Sequence, residues 1–107
     1  MNIVAALAVA LAGLTMAAFP AAAEDVARGE MVLKRLCASC HAVGTADVGK
    51  HPTAPAFRTL GKLYPIESLE EALAEGLSTG HEAMPEFQFD AADVGAIIAY
   101  LKHIQQP

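Results

Sequence analysis

Apolar positions along this chain fall into four arrangements, and three of them carry a helical period. From Ile3 to Phe19 the residues are almost wholly apolar, softened only at Gly13 and Thr15. Val26, Gly29, Leu33 and Leu36 then recur three and four apart, which puts them on one face of a helix. Asp25 is the expected N-cap of that helix, which should run to about Leu36. Between Ala42 and Leu60 the period is lost, and Gly44, Gly49, Pro52 and Pro55 stand among polar residues, so a loop is expected. A second helix is expected over Ile66–Gly76, with Pro65 at its first turn and Leu69, Leu73 and Leu77 inward. The chain then returns to loop through Leu77–Phe89. Asp90 and Asp93 resemble a capping box with Asp in place of the usual Glu. They open a last helix, Ala91 to about Ile104, whose buried side is Val94, Ile97, Ile98 and Leu101, with Tyr100 nearby. No stretch alternates like a strand, so the expected fold class is all-α, with three to four helices and loops.

The first arrangement changes the domain picture. Its apolar run ends at Ala21-Ala22-Ala23, a small-residue site of the kind a signal peptidase cuts, and acidic residues begin at Glu24. Residues 1–23 are therefore expected to be a signal peptide, and residues 24–107 the one folded domain, delivered to the periplasm. Met1-Asn2 lacks the usual basic residue. The alternative is an uncleaved membrane anchor, at the short edge of the roughly 20 residues that span a bilayer; only then would the protein be membrane-bound.

Charge narrows the partners. All 7 basic and 12 acidic residues lie after Ala23, so the net charge of −5 belongs to the folded part. That balance excludes nucleic acid as a partner and favours proteins with a basic docking surface. Glu67, Glu70, Glu71 and Glu75 lie largely opposite the leucine stripe of the second helix. They form either a solvated face or a docking patch. A domain this short buries a modest core and needs a staple.

Cys37-Ala38-Ser39-Cys40-His41 supplies one. Two thiols three residues apart on a helical turn can each reach one vinyl group of a haem, and the adjacent imidazole then meets the iron as its proximal ligand. The rival readings are a zinc site, a redox dithiol and a short disulfide. Zinc would need further cysteines, and the chain has only 2. A thioredoxin-like dithiol would sit in a βαβ context that is absent from the pattern. The loop after His41 should wrap one side of the haem, with Pro55 and Phe57 lining it. A backbone carbonyl near Pro55 is expected to accept from the second nitrogen of His41.

Cys37-x-x-Cys40-His41 near the start, Met84-Pro85 in the late loop and the amphipathic last helix together resemble the class I cytochrome c family, in its short bacterial periplasmic form. The likeness covers nearly all of residues 24–107. It implies the cytochrome c fold, wrapped around one haem c attached through two thioethers at Cys37 and Cys40, with His41 and Met84 as the axial ligands of its iron. It also implies that the N- and C-terminal helices cross, with Gly29 at the close contact and Ile97 and Tyr100 at the partner positions. Leu33 stands where many members have an aromatic, which weakens that contact here. The early position of the motif is unlike the four-helix cytochrome c-prime type. Among rivals to Met84, His81 lies only three residues away, while His51 and His103 are more remote.

The resemblance implies a monomeric one-electron carrier between redox partner proteins, not an enzyme. Two alternatives differ in class. One is a dedicated subunit of a dehydrogenase or oxidase, which a stable copurifying partner would reveal. The other is a ligand-binding or peroxidatic haem protein, which needs an open sixth position and would bind carbon monoxide.

Overall fold

The computed structural model describes residues 3–16 and 21–107. Met1, Asn2 and the end of the apolar run, including Phe19, lie outside the described residues. Residues 3–16 form no regular element and are exposed. Among the described residues, no helix is long and apolar enough to cross a membrane.

Among the described residues three α-helices carry the fold: α1 (Ala21–Leu36), α2 (Leu69–Glu75) and α3 (Ala91–Ile104). Two 3₁₀ segments, Phe57–Lys62 and Ile66–Ser68, precede α2. The architecture is all-α, and the only strand-like feature among the described residues is a single bridge between Leu77 and Phe87. Helix α1 starts four residues before Asp25, which therefore is not its cap. Ala21-Ala22-Ala23 are the strongest helix formers and contain nothing to stop propagation. Helix α3 begins as expected, with Asp90 Oδ1 accepting from the Asp93 N–H at 2.8 Å. The Asp93 carboxylate does not complete a capping box. It is taken by Arg28 of α1, whose guanidinium donates from Nε at 3.0 Å and from its terminal nitrogen at 2.8 Å.

That ion pair flanks the crossing of α1 over α3. A methyl on Gly29 would sit 2.6 Å from the Ala96 carbonyl carbon and 2.8 Å from Tyr100 Cβ, so only hydrogen fits. The nearest neighbours of Gly29 are thus Ala96 and Tyr100. Ile97, one residue on from Ala96, is fully buried in the core with Leu33, Leu101 and Ile104. The buried Tyr100 hydroxyl donates to the Val43 carbonyl at 2.7 Å, tying the crossing to the loop that follows His41.

The second helix is shorter than its pattern. Pro65 is extended at the N-cap, the first turn is 3₁₀, and α2 proper stops at Glu75, capped by Gly76, whose φ of 127° is open to glycine alone at little cost. The 3₁₀ segment Phe57–Lys62, read as loop from sequence, is held from the far end of the chain. Gln105 Nε2 donates to the Phe57 carbonyl at 2.8 Å, and Gln105 Oε1 accepts from the Gly61 N–H at 2.7 Å.

Candidate functional site, an apolar cavity between two donor segments

Cys37 continues the hydrogen bonding of α1, donating to the Leu33 carbonyl at 2.8 Å, and the Cys37 carbonyl then accepts from Cys40 at 3.2 Å and His41 at 2.9 Å. The motif is therefore a turn folded onto the end of α1, and both thiols and the imidazole border one cavity. No disulfide joins the two cysteines. Burial, with a smaller contribution from nearby Cys40, pushes the Cys37 thiol up to about 11, so it stays protonated at neutral pH.

His41 is oriented as expected. Its Nδ1 lies 2.8 Å from the Pro55 carbonyl oxygen, which can only accept, so Nδ1 carries a proton and, in the neutral ring, Nε2 is the nitrogen with the lone pair. The ring also stacks on Phe57, centroids 4.7 Å apart. The loop that brings Pro55 there is held by its own polar residues. Asp47 accepts from the Val43 and Gly44 amides at 3.0 and 2.9 Å, and Arg58 donates to the Asp47 carbonyl at 2.8 Å. The His51 N–H closes the loop onto the Cys40 carbonyl at 3.1 Å.

The cavity measures about 540 Å³, inside the range of about 300–1,000 Å³ typical of cofactor and ligand sites. Leu33 and Leu101 wall it from α1 and α3, Leu69, Leu73 and Leu77 from α2 and its end, and Phe89 from the last loop. This explains why Leu69 and Leu77 are only half-buried although their spacing is that of core residues. Met84 enters from a second segment, the loop before α3, and is half-buried at the cavity. Met31 points outward from α1 with 62% exposure and does not border it. Of the rival histidines, His81 and His51 both line the cavity and His103 does not. His51 Nδ1 is engaged by Thr53, whose N–H and Oγ1 lie at 3.3 and 3.1 Å. Sequence reasoning passed over Thr79, whose Oγ1 donates to Met84 Sδ at 3.5 Å. A hydroxyl five residues before the methionine was the available signal.

The residues present fit a haem. A large apolar disc needs aliphatic and aromatic walls, two thiols beside each other, and nitrogen or sulfur donors free of protons, and the cavity supplies each. Glu67, Glu70 and Glu71 line a separate shallow depression between α2 and α3 and do not border the cavity. Glu67 is paired there with Lys102 at 2.8 Å, which holds its carboxyl below the usual range.

Comparison with known proteins gives matches over most of the chain. Residues 24–101 match the family model described as cytochrome c oxidase, cbb3-type, subunit III. The chain is 40% identical over 104 residues to cytochrome c6 of Picosynechococcus sp., covering 89% of each chain. It is 33% identical over 81 residues to cytochrome c-552 of Bradyrhizobium diazoefficiens, covering 76% of each. No solved structure gives a significant match.

Proposed function

The chain belongs to the class I c-type cytochrome family, and from that premise we propose that it is a diffusible periplasmic electron carrier whose haem iron is held by His41 and Met84. Its cofactor is haem c with iron, covalently bound as in the family. The observation that carries the ligand assignment is the convergence of Cys37, Cys40, His41 and Met84 on one apolar cavity.

When bound, haem supplies a one-electron ferrous–ferric couple. The chain's own residues do the rest. Cys37 and Cys40 border the cavity, where their thiols would add to the two vinyl groups of the haem as thioethers. The Pro55 carbonyl keeps His41 in the tautomer whose Nε2 can donate to iron, and strengthens that donation by accepting from Nδ1–H. Met84 offers a thioether, which favours the ferrous state more than a second imidazole would. With both donors in place no position stays open for a substrate, which favours a carrier over an enzyme. Apolar walls disfavour the extra charge of the ferric state and raise the potential further.

Cleavage after Ala23 would leave Glu24 and Asp25 in the first turn of α1, where negative charge is stabilised by the helix dipole. We take that as the mature start, with residues 24–107 as the domain and export as the route to the periplasm.

The attachment is tested by denaturing electrophoresis with haem staining. The mature chain is expected to give a coloured band and an intact mass that includes one haem. Release of the haem into acid–acetone would overturn the thioether assignment.

A net charge of −5 suits a redox partner with a basic docking surface. Of the acidic face, Glu70, Glu71 and Glu75 are the residues we assign to steering, since Lys102 already neutralises Glu67. The electron-transfer rate with a basic partner should fall as ionic strength rises toward about 0.1 M, where the Debye length is about 10 Å. A rate indifferent to salt in that range counts against electrostatic docking.

A second reading has one observation behind it: the matching family model describes an oxidase subunit. A dedicated subunit would copurify in fixed ratio with an oxidase or dehydrogenase, whereas a diffusible carrier elutes alone as a monomer.

A further inference from the structure

Thr79 lines the cavity and has no part in the attachment motif or the proposed ligand set. Thr79 lies in the loop after α2, and its Oγ1 stands 3.5 Å from Met84 Sδ. A thioether carries no proton, so the hydroxyl is the donor. The same oxygen accepts from the His81 N–H at 3.4 Å, which occupies a lone pair and leaves its single proton for the sulfur. The Met84 N–H donates to the His81 carbonyl at 3.1 Å, so backbone of the same turn sets where the sulfur sits.

We propose that Thr79 is a positioning residue for Met84, orienting the thioether and tempering its basicity through the Oγ1–H to Sδ hydrogen bond. The inference rests on Met84 being the sulfur ligand of the iron. A thioether sulfur has two lone pairs. The hydroxyl takes one, which leaves the other for iron and decides to which side the terminal methyl turns. A proton donor on the sulfur also withdraws density from it. Ferric iron, with the greater charge, loses more from that withdrawal than ferrous iron, so Thr79 raises the potential.

The test uses the haem-loaded full protein and two substitutions. Thr79→Val removes the hydroxyl and keeps the branched shape, whereas Thr79→Ser keeps the hydroxyl and drops the methyl. At a fixed applied potential, Thr79→Val should shift the ferrous-to-ferric ratio roughly two- to five-fold toward ferric, as one modest hydrogen bond allows. It should also displace the sulfur-to-iron charge-transfer band, and Thr79→Ser should match the wild type in both. Thr79→Ala reads the same two quantities if the valine variant fails to load haem. A wild-type protein without the band overturns the Met84 ligation and the inference with it. A wild-type band with ratio and band unmoved in Thr79→Val overturns the role of Thr79 and leaves the ligation standing. Equal shifts in the valine and serine variants assign the effect to the methyl group and likewise overturn it.

Discussion

Met84→Ala should abolish the ferric absorption band near the red end of the visible range that marks sulfur-to-iron charge transfer. Met84 is the only methionine among the described residues that borders the cavity; Met16 and Met31 are exposed at 89% and 62%. Alanine has no donor atom, so an iron held as proposed would keep only His41 and gain a site open to small molecules. Carbon monoxide should then bind the ferrous protein and cyanide the ferric protein, neither of which should bind wild type readily. The potential should fall, because the thioether that favours ferrous iron is gone. His81 gives the control. It lines the same cavity and sits in the same turn, with its carbonyl accepting from the Met84 N–H. His81→Ala should keep the band and the potential. The reverse outcome, with Met84→Ala unchanged and His81→Ala stripped of both, would make the iron bis-imidazole.

The second large effect is on stability. Gly29→Ala places a methyl 2.6 Å from the Ala96 carbonyl carbon and 2.8 Å from Tyr100 Cβ. Both obstacles belong to or adjoin the backbone of α3, so no flexible side-chain end can swing aside. The helices must separate, at a cost of about 1–3 kcal/mol for overpacking, occasionally more. Alanine returns up to about 1 kcal/mol of helix propensity. A net loss of about 1–2 kcal/mol should lower the melting temperature by roughly 4–16 °C for a domain of this size. Gly95 of α3 supplies the comparison, since a methyl there meets nothing within 4 Å. Gly95→Ala should raise the melting temperature by the propensity gain alone. A Gly29→Ala protein that melts at or above wild type would mean that the crossing relaxes freely.

Much of the site is legible locally because its chemistry is local. Cys37 and Cys40 sit one helical turn apart, and His41 follows directly, so their convergence needs no distant residue. The start of α3 is likewise written in four adjacent positions, Asp90 to Asp93, where a side chain caps a backbone it can reach. The Pro55 partner of His41 was foreseeable because a protonated ring nitrogen near a loop of exposed carbonyls finds one of them. Helix α1 was misjudged at its start, since Asp25 can cap only if the preceding residues resist helix, and three alanines do not.

The parts that escaped sequence reading share a different cause: each is decided by residues far apart in the chain. The 3₁₀ segment Phe57–Lys62 depends on Gln105, more than forty positions away, and no window of sequence contains both. Asp93 had two carboxylate roles open to it, and the approach of Arg28 across the helix crossing selected the interhelical pair over the cap. That the Ala96 backbone comes close enough to Gly29 to exclude a methyl follows from the way α1 crosses α3, which no local window of sequence contains. The attachment motif, the helical class and the boundaries of α3 follow from short-range periodicity and capping chemistry, which act within a few neighbouring residues. Tertiary structure alone decided which donors share the cavity with Met84 and which hydroxyl reaches its sulfur, because distance in space between separate segments is set by packing and has no counterpart in spacing along the chain.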